Sequence, residues 1–429
     1  MKASLYTAAM TLLGGLAAAN TPNSDPPEGG NLSLAEENLT EERAAGGESA
    51  GLIPSTYKTL FKDDNIEVTW GGRTYFDLGF FSADPSYVDD SGGIAGDGAE
   101  FRTVRFFAKG TIYHSVDFKT QIQFTGDGGN KFKDVFIGMK TPIGKVRIGH
   151  FKEPFSIEHL TSSRFITFME RSLGDVFAPG RNIGLQVSDY VEELHNFNWA
   201  LGIFRDSKDG QLSQGEGQYS VTGRLCGTIF NNADFSHVLH LGSALSLRSD
   251  TPDDMGMGMT DLTGRPEIHL LADLGGAMIP SEGALHWNLG TAWVNGPISA
   301  QAEFFMASVD GGTSGVDADY TGGYLFGSYF LTGEQRSYKA NGGRFDRIRM
   351  TDSLDGSGGS GAIELKARIS MNDFNDGPTD NEINNYSAGV NWYLNPNTRI
   401  MLDYIHSEYQ SGATDDSLDG LMLRFQIDF

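Results

Sequence analysis

The chain has 429 residues, 39 % hydrophobic and 21 % charged, with a formal net charge of −24. So acidic a balance excludes the broad basic surface that nucleic-acid binding requires. The single cysteine, Cys226, excludes an intrachain disulfide and any cysteine-built metal site, and it reads as a small buried filler. Glycine, at 56 residues, stands at roughly double its average usage of about 7 %, which suits turns, bulges and crowded sheet walls.

Met1 and Lys2 form a positive start, Ala8 to Ala19 a short apolar stretch, and Ala17 and Ala19 a small-x-small site. Residues 1–19 therefore read as a secretory signal peptide. Residues 20–60 are rich in Pro, Glu, Asn, Ala and Gly, with one short helix-capable piece from Leu34 to Leu39. Low hydrophobicity and high charge predict a periplasmic extension without a packed core. From about Ile66 short alternating runs parted by Gly, Asp, Asn and Pro continue to Phe429. No later segment reaches the roughly 18 apolar residues a spanning helix needs. An exported chain of this kind is either soluble or a closed barrel, the other structure that satisfies its backbone in lipid.

The runs can be read for facing. In Thr103–Tyr113, Val104, Phe106, Ala108 and Ile112 oppose Thr103, Arg105, Lys109 and Thr111. In Phe118–Phe124, Phe118, Thr120, Ile122 and Phe124 oppose Lys119, Gln121 and Gln123. Ile363, Leu365, Ala367 and Ile369 oppose Glu364, Lys366, Arg368 and Ser370. At the C-terminus Leu421, Leu423, Phe425, Ile427 and Phe429 alternate with Met422, Arg424, Gln426 and Asp428. Period-two alternation marks strands with one apolar and one wet face. An aromatic last residue on such a strand is what the closing strand of an outer-membrane barrel looks like. The aromatics, 11 % of the chain, suffice for girdles at both membrane interfaces. Residues 61–429, at about 20–25 per strand and loop, accommodate about 16 antiparallel strands in one all-β transmembrane barrel.

The wet faces carry Arg73, Arg105, Lys109, Lys119, Arg147, Lys366 and Arg368. Partly desolvated cations lining a pore favour anions. The alternative is a neutral wall in which these cations pair with acids such as Asp77, Asp134 and Glu364. Acids such as Asp84, Asp89, Asp376 and Asp416 fall in the stretches read as loops. They could hold divalent cations beside lipopolysaccharide or simply keep the loops soluble.

Alternation breaks between Phe151 and Val187, a stretch too long and aromatic for a loop projecting into water. Folded into the barrel it would narrow the lumen and make Arg164, Arg171 and Arg181 constriction residues; the alternative is packing on outer loops or a partner subunit. His150, Glu153, Glu158 and His159 lie close enough in sequence to suggest a metal site, but their spacing matches no helical His-Glu motif. There is no G-x-S-x-G elbow, P-loop or dinucleotide fingerprint. Catalysis is not expected, nor a metal or other cofactor.

The segments GRTYFDLGFF, EFRTVRFFAKGTIY, VDFKTQIQFT, RIGHFKEPFSIEHLTSSRFITFMERSL, FAPGRNIGL, YFLTGEQRSY and NWYLNPNTRIMLDY occur in that order. Together they resemble the phosphate-selective porin O/P family over roughly residues 70–429. The resemblance implies a 16-stranded outer-membrane barrel, usually trimeric, with an inward-folded third loop and an anion path lined by arginines and lysines. Carried over by motif, Arg102 and Arg105 match the basic cluster of EFR-x-x-R. Lys152 matches the lysine of FKEPF, and Arg164, Arg171 and Arg181 match the loop positions. Where many relatives read EFRRAR, Thr103 stands in the middle here. Strict alternation also sets Arg102 out of phase with Arg105 unless a bulge intervenes. The expected function is passive diffusion of small anions, phosphate or polyphosphate among them, across the outer membrane, with lipid and lipopolysaccharide as surroundings. A general or cation-tolerant porin of the same fold, or an envelope structural protein, is the alternative.

Overall fold

The computed structural model describes residues 57–89, 92–125, 131–207, 219–249, 258–312, 315–354 and 358–429. The expected signal peptide and nearly all of the 20–60 extension lie outside the described residues. The first strands are β1 (Lys58–Lys62), β2 (Ile66–Ala83), β3 (Gly98–Ile112), β4 (Val116–Gln123) and β5 (Lys131–Thr141). They are followed by β6 (Gly144–Lys152), β7 (Arg181–Val191), β8 (Phe197–Arg205), β9 (Tyr219–Asn231) and β10 (His237–Ser249). A short hairpin, β11 (Met259–Asp261) and β12 (Met278–Pro280), precedes β13 (Gly283–Asn295), β14 (Ile298–Asp310) and β15 (Ala318–Phe330). A second hairpin, β16 (Ser337–Lys339) and β17 (Arg344–Asp346), precedes β18 (Ala362–Asp373), β19 (Asn381–Asn395), β20 (Thr398–Ser411) and β21 (Thr414–Asp428).

Sixteen of these, all but β1 and the two hairpins, pair antiparallel with their neighbours, and β21 pairs back onto β2 to close a barrel. The last residue completes the seam. Phe429 N–H donates to the Gly72 carbonyl at 3.0 Å and Gly72 N–H donates to the Phe429 carbonyl at 2.8 Å. The Phe429 ring meets Trp70 and Phe106 edge-on. Gly71 and Gly72 permit this approach, because a Cβ on Gly71 would lie 2.4 Å from the Phe429 carbonyl oxygen.

The faces follow the sequence alternation. Phe106, Phe124, Leu365, Ile369, Phe425 and Ile427 are exposed, whereas Arg105, Gln121, Gln123, Glu364, Lys366, Arg368 and Arg424 are buried. Apolar-out and polar-in is the arrangement of a barrel in lipid. No helix among the described residues is long and apolar enough to cross a membrane; the strands do so instead.

The third long connection, residues 153–180, folds into the barrel as expected. It carries one helical turn, α1 (Ile157–Leu160), and a 3₁₀ turn, Leu173–Phe177. Its Phe155, Phe168 and Phe177 are buried against Phe305, Tyr320, Phe326 and Phe374 of the inner wall. That wall is therefore aromatic where the loop seats rather than uniformly polar. Gly174 lies flat on it, since a Cβ there would meet the Phe305 ring at 2.6 Å.

Two further connections also turn inward, which the sequence reading did not anticipate. The one between β10 and β13 buries Leu262, Ile268 and Leu271, and its Glu267 accepts from Arg368 of β18 at 2.5 Å. The one between β15 and β18 reaches the inner faces of β8 to β10. There Asn198 donates to the Ala340 carbonyl at 2.8 Å, Arg224 to the Gly343 carbonyl at 2.8 Å, and Tyr338 pairs with His240 at 2.8 Å. The end bearing the short β3–β4, β5–β6 and β19–β20 turns is the periplasmic one.

Candidate pore constriction

One carboxylate pins the start of the third loop. Glu303 of β14 accepts from the Ile157 and Glu158 amides at 2.9 and 3.0 Å, from Ser156 Oγ at 2.8 Å and from Tyr324 Oη at 2.9 Å. The Met169 amide donates to Asp403 at 3.1 Å, and Arg399 donates to the Ile166 carbonyl at 2.9 Å. The loop crosses from the β14–β18 wall to β2, where Arg73 donates to Ser162 Oγ at 3.2 Å. Within it, Lys152 donates to the His159 carbonyl, and Arg171 donates to the carbonyls of Glu158 and Thr161 at 3.2 and 3.0 Å. Burial raises the Glu158 carboxyl to about 7 against the pull of Arg368, and burial lowers the His159 imidazole to about 4 against Asp175.

The lumen cations fall into two groups. On the β18–β21 side most are matched. Lys366 meets Asp403 at 2.5 Å and Arg368 meets Glu267 at 2.5 Å, while Arg424 binds Asp77 and Glu170 at 2.7 Å each. Arg102 makes a bidentate pair with Glu170 at 2.8 and 2.9 Å. On the β2–β7 side cations outnumber acids. Arg73 stands directly opposite Arg105, Arg105 donates to Gln123 on β4, and Lys109 stands opposite Lys119. Lys119 and Arg181 share one acid, Asp134, at 2.6 and 2.7 Å. Arg171 lies 3.8 Å from Asp175, which His159 also contacts at 2.8 Å. Arg164 lies over the rings of Tyr57 and Phe165, and Arg147 over those of Phe136 and Phe151. Among the described residues no carboxylate is within ion-pair distance of Arg73, Arg105, Lys109, Lys152 or Arg164. The charges of Arg164 and Arg181 act on Arg73, and those of Arg73 and Arg181 on Arg105, so these residues form one electropositive zone.

Arg102 and Arg105 both reach the lumen because β3 carries an extra residue. Thr103 pairs with Tyr75 but Glu100 with Asp77, so three residues of β3 span two of β2. This bulge turns Phe101 outward and brings Arg102 in.

The family model for phosphate-selective porin O and P matches residues 70–429. The chain belongs to that family. Porin O of Pseudomonas aeruginosa is 28 % identical over 408 residues, covering 86 % of this chain and 89 % of that protein. An uncharacterised protein of Caulobacter vibrioides is also 28 % identical, over 396 residues, covering 85 % and 77 %. Among solved structures, the anion-selective porin from Comamonas acidovorans superposes with a TM-score of 0.51 at 14 % identity, covering 85 % of this chain and all of that one. The trimer form of OmpT from Vibrio cholerae superposes at 0.52 and 11 % identity, with the same coverage. At these identities the two structures show the shared fold. The protein is an outer-membrane porin.

In this porin His150, Glu153, Glu158 and His159 do not converge. His150 contacts the carbonyls of Lys133 and Arg181, Glu153 binds Asn182 and Arg248, Glu158 accepts from Ser172 and His159 faces Asp175. No group of three potential metal ligands forms among the described residues. Arg336, Arg399 and Arg424 also reach the lumen, although they were absent from the candidate set. Arg424 stood in plain alternation at the C-terminus, and Arg399 shares a face with Asp403 two residues pairs on; that common face was the available signal.

Proposed function

We propose that this porin is a passive diffusion channel selective for small anions, with phosphate as the solute to which its family points. The observation that carries the reading is the placement of Arg73 directly opposite Arg105, with the charges of Arg164 and Arg181 acting on Arg73, while Asp134 is shared by Lys119 and Arg181 and Asp428, opposite Arg73 on β21, is paired with Arg347. Like charges facing each other across a sheet are destabilising. An anion between them offsets that repulsion and recovers, through charge-assisted hydrogen bonds, the hydration it loses. Lys109, Lys119, Arg147 and Lys152 supply further cations along the wall, with Arg171 on the loop, while Arg102 is neutralised by Glu170. Several weak sites in series let the solute leave as readily as it enters. The loop held by Glu303 sets the size limit.

We read the protein as a channel rather than an enzyme. A homotrimer set in lipid and lipopolysaccharide is part of the proposal, in keeping with OmpT having been solved in a trimer form. A general or cation-tolerant porin is the second reading, favoured by the matched pairs on the β18–β21 wall. Planar-bilayer recordings in a KCl gradient with phosphate titrated in decide between them. Anion-selective reversal with chloride current blocked by phosphate supports the proposal; cation selectivity without block supports the second reading.

A further inference from the structure

The hairpin β16–β17 enters the barrel from the periplasmic end: β18, which follows it, opens at Ala362 opposite Tyr393, beside the short β19–β20 turn. The wall of β8 to β10 holds it through Ala340, Gly343 and Tyr338. Lys339 and Asp346 close it across its own strands at 3.6 Å. Its turn fits tightly against that wall, because Gly343 adopts φ +52° and a Cβ there would collide with Cys226 Sγ. The third loop comes from the opposite end, and the two meet inside the barrel. Ile157 of α1 shares one buried apolar cluster with Tyr338 and Phe345, and the Phe345 amide donates to Thr161 Oγ1 at 3.3 Å.

A second link is polar. Arg336, just ahead of the hairpin, is buried with its guanidinium over the rings of Phe345 and Phe326, 3.5 and 4.9 Å from their centres. Arg336 Nη2 donates to Gln301 Oε1 at 2.9 Å, Gln301 Nε2 donates to Tyr324 Oη at 2.5 Å, and Tyr324 Oη donates to Glu303 Oε2 at 2.9 Å. The direction is fixed at its start, since a guanidinium can only donate and so holds the amide oxygen of Gln301 toward itself. That leaves the amide nitrogen for Tyr324 and the tyrosine hydrogen for Glu303. All four side chains are buried. Glu303 is the carboxylate that accepts from Ser156 and from the Ile157 and Glu158 amides. We infer that Arg336 is a positioning residue for the constriction: the periplasmic connection, through Arg336, Gln301 and Tyr324, sets where the start of the third loop sits and hence the size limit of the pore. Replacing any one of them leaves its neighbour with an unmet buried partner, which is the costly way to break such a chain. The inference rests on the reading of the third loop as the constriction and not on the sign of the permeating ion.

The test uses reconstituted barrels whose folding is verified by heat-dependent gel mobility. Amide exchange over 156–161 should rise about ten-fold in Arg336→Gln and in the charge-neutral changes Gln301→Leu and Tyr324→Phe, as loss of one charge-assisted link dictates. Over residues 262–271 of the β10–β13 connection exchange should stay at the wild-type rate, which a general loosening of the barrel would not allow. Liposome swelling with neutral sugars reads the size limit without interference from lumen charge. Each variant should admit a trisaccharide faster, relative to a monosaccharide, than the wild-type channel does. Arg336→Gln placed on Tyr324→Phe should add less than about two-fold to the exchange rate, because the chain is already cut. Unchanged exchange and sugar selectivity in Arg336→Gln and Gln301→Leu overturn the inference. So does a fully additive double variant, or exchange that rises equally over 262–271. Glu303→Gln frees the loop directly; if it too leaves the sugar profile as in the wild type, the reading of the loop as the constriction fails instead.

Discussion

Replacing Arg105 by Glu is the sharpest perturbation of the pore. Arg105 faces Arg73 across β2 and β3, lies beside Arg181, and has no carboxylate in ion-pair contact among the described residues. For a monovalent anion about 7 Å away, with an effective dielectric of about 40 between bulk water and a protein surface, one charge contributes roughly 1 kcal/mol. Arg105→Gln should therefore lower the permeability of monovalent anions about five-fold, and the anion-to-cation ratio by more, because the same charge acts on a cation with opposite sign. Arg105→Glu, a change of about 2 kcal/mol for the anion, should lower the anion permeability about thirty-fold. The assay is the zero-current potential across a ten-fold KCl gradient, with refolded barrel verified by heat-dependent gel mobility. The matched control removes a neutral pair. Arg102→Gln with Glu170→Gln deletes two charged groups in bidentate contact and leaves the lumen charge unchanged. An Arg105→Glu channel with wild-type selectivity, or a control that shifts it as far, would refute the assignment of the anion path to this wall.

Lys109→Glu should move the zero-current potential in the same direction as Arg105→Glu, and an unchanged potential would remove Lys109 from the path. Glu303→Gln weakens the charge-assisted bonds to the Ile157 and Glu158 amides and to Ser156; at about 1.5–3 kcal/mol for a hydrogen bond to a charged group, faster hydrogen exchange over 156–161 and noisier, larger currents are expected. Burial raises the Glu158 carboxyl from 4.5 to about 7, so its contribution to loop stability is complete below about 4.5 and is lost as pH rises through 7. Loop amides should exchange faster at pH 8 than at pH 5 after correction for intrinsic rates, and Glu158→Gln should flatten that difference. Phe429→Ala removes two ring contacts of about 0.5–1.5 kcal/mol each and should lower the unfolding temperature on gels without altering selectivity; an unchanged midpoint would mean the seam is held by its backbone bonds alone.

The barrel was legible because its physics is periodic. Alternation in β3, β4, β18 and β21 marked the inner face residue by residue, and the lipid-facing rows are exposed as that pattern requires. What alternation cannot show is a change of phase. The extra residue near Phe101 placed Arg102 in the lumen, and only the pairing of Glu100 with Asp77 reveals it. Nor could it show which cation meets which acid. Arg424 and Asp77 are 347 positions apart and become neighbours only because the last strand closes on the first. The two additional inward connections did leave a trace. With β10 ending at Ser249 and β13 starting at Gly283, and β15 ending at Phe330 and β18 starting at Ala362, they run to 33 and 31 residues. Connections of that length in a compact barrel need something to pack against.

The net charge of −24 is no guide to the selectivity of the pore, because it sums two surfaces that never act together. Asp84, Asp376, Asp415 and Asp419 are exposed on connections or outer faces, where salt screens them over about 8 Å. Arg73, Arg105 and Lys152 lie inside a narrow lumen with low-dielectric walls, where fields are focused rather than dispersed. A permeating ion responds to the second set. Selectivity is therefore decided by which acids reach the inner wall. On the β2–β7 side Asp134 is the acid shared by Lys119 and Arg181, while Arg73 and Arg105 face one another with no carboxylate within ion-pair distance among the described residues, Asp428 beside Arg73 being paired with Arg347. An acidic porin and an anion-selective lumen are compatible whenever strand alternation separates the two charge populations in this way.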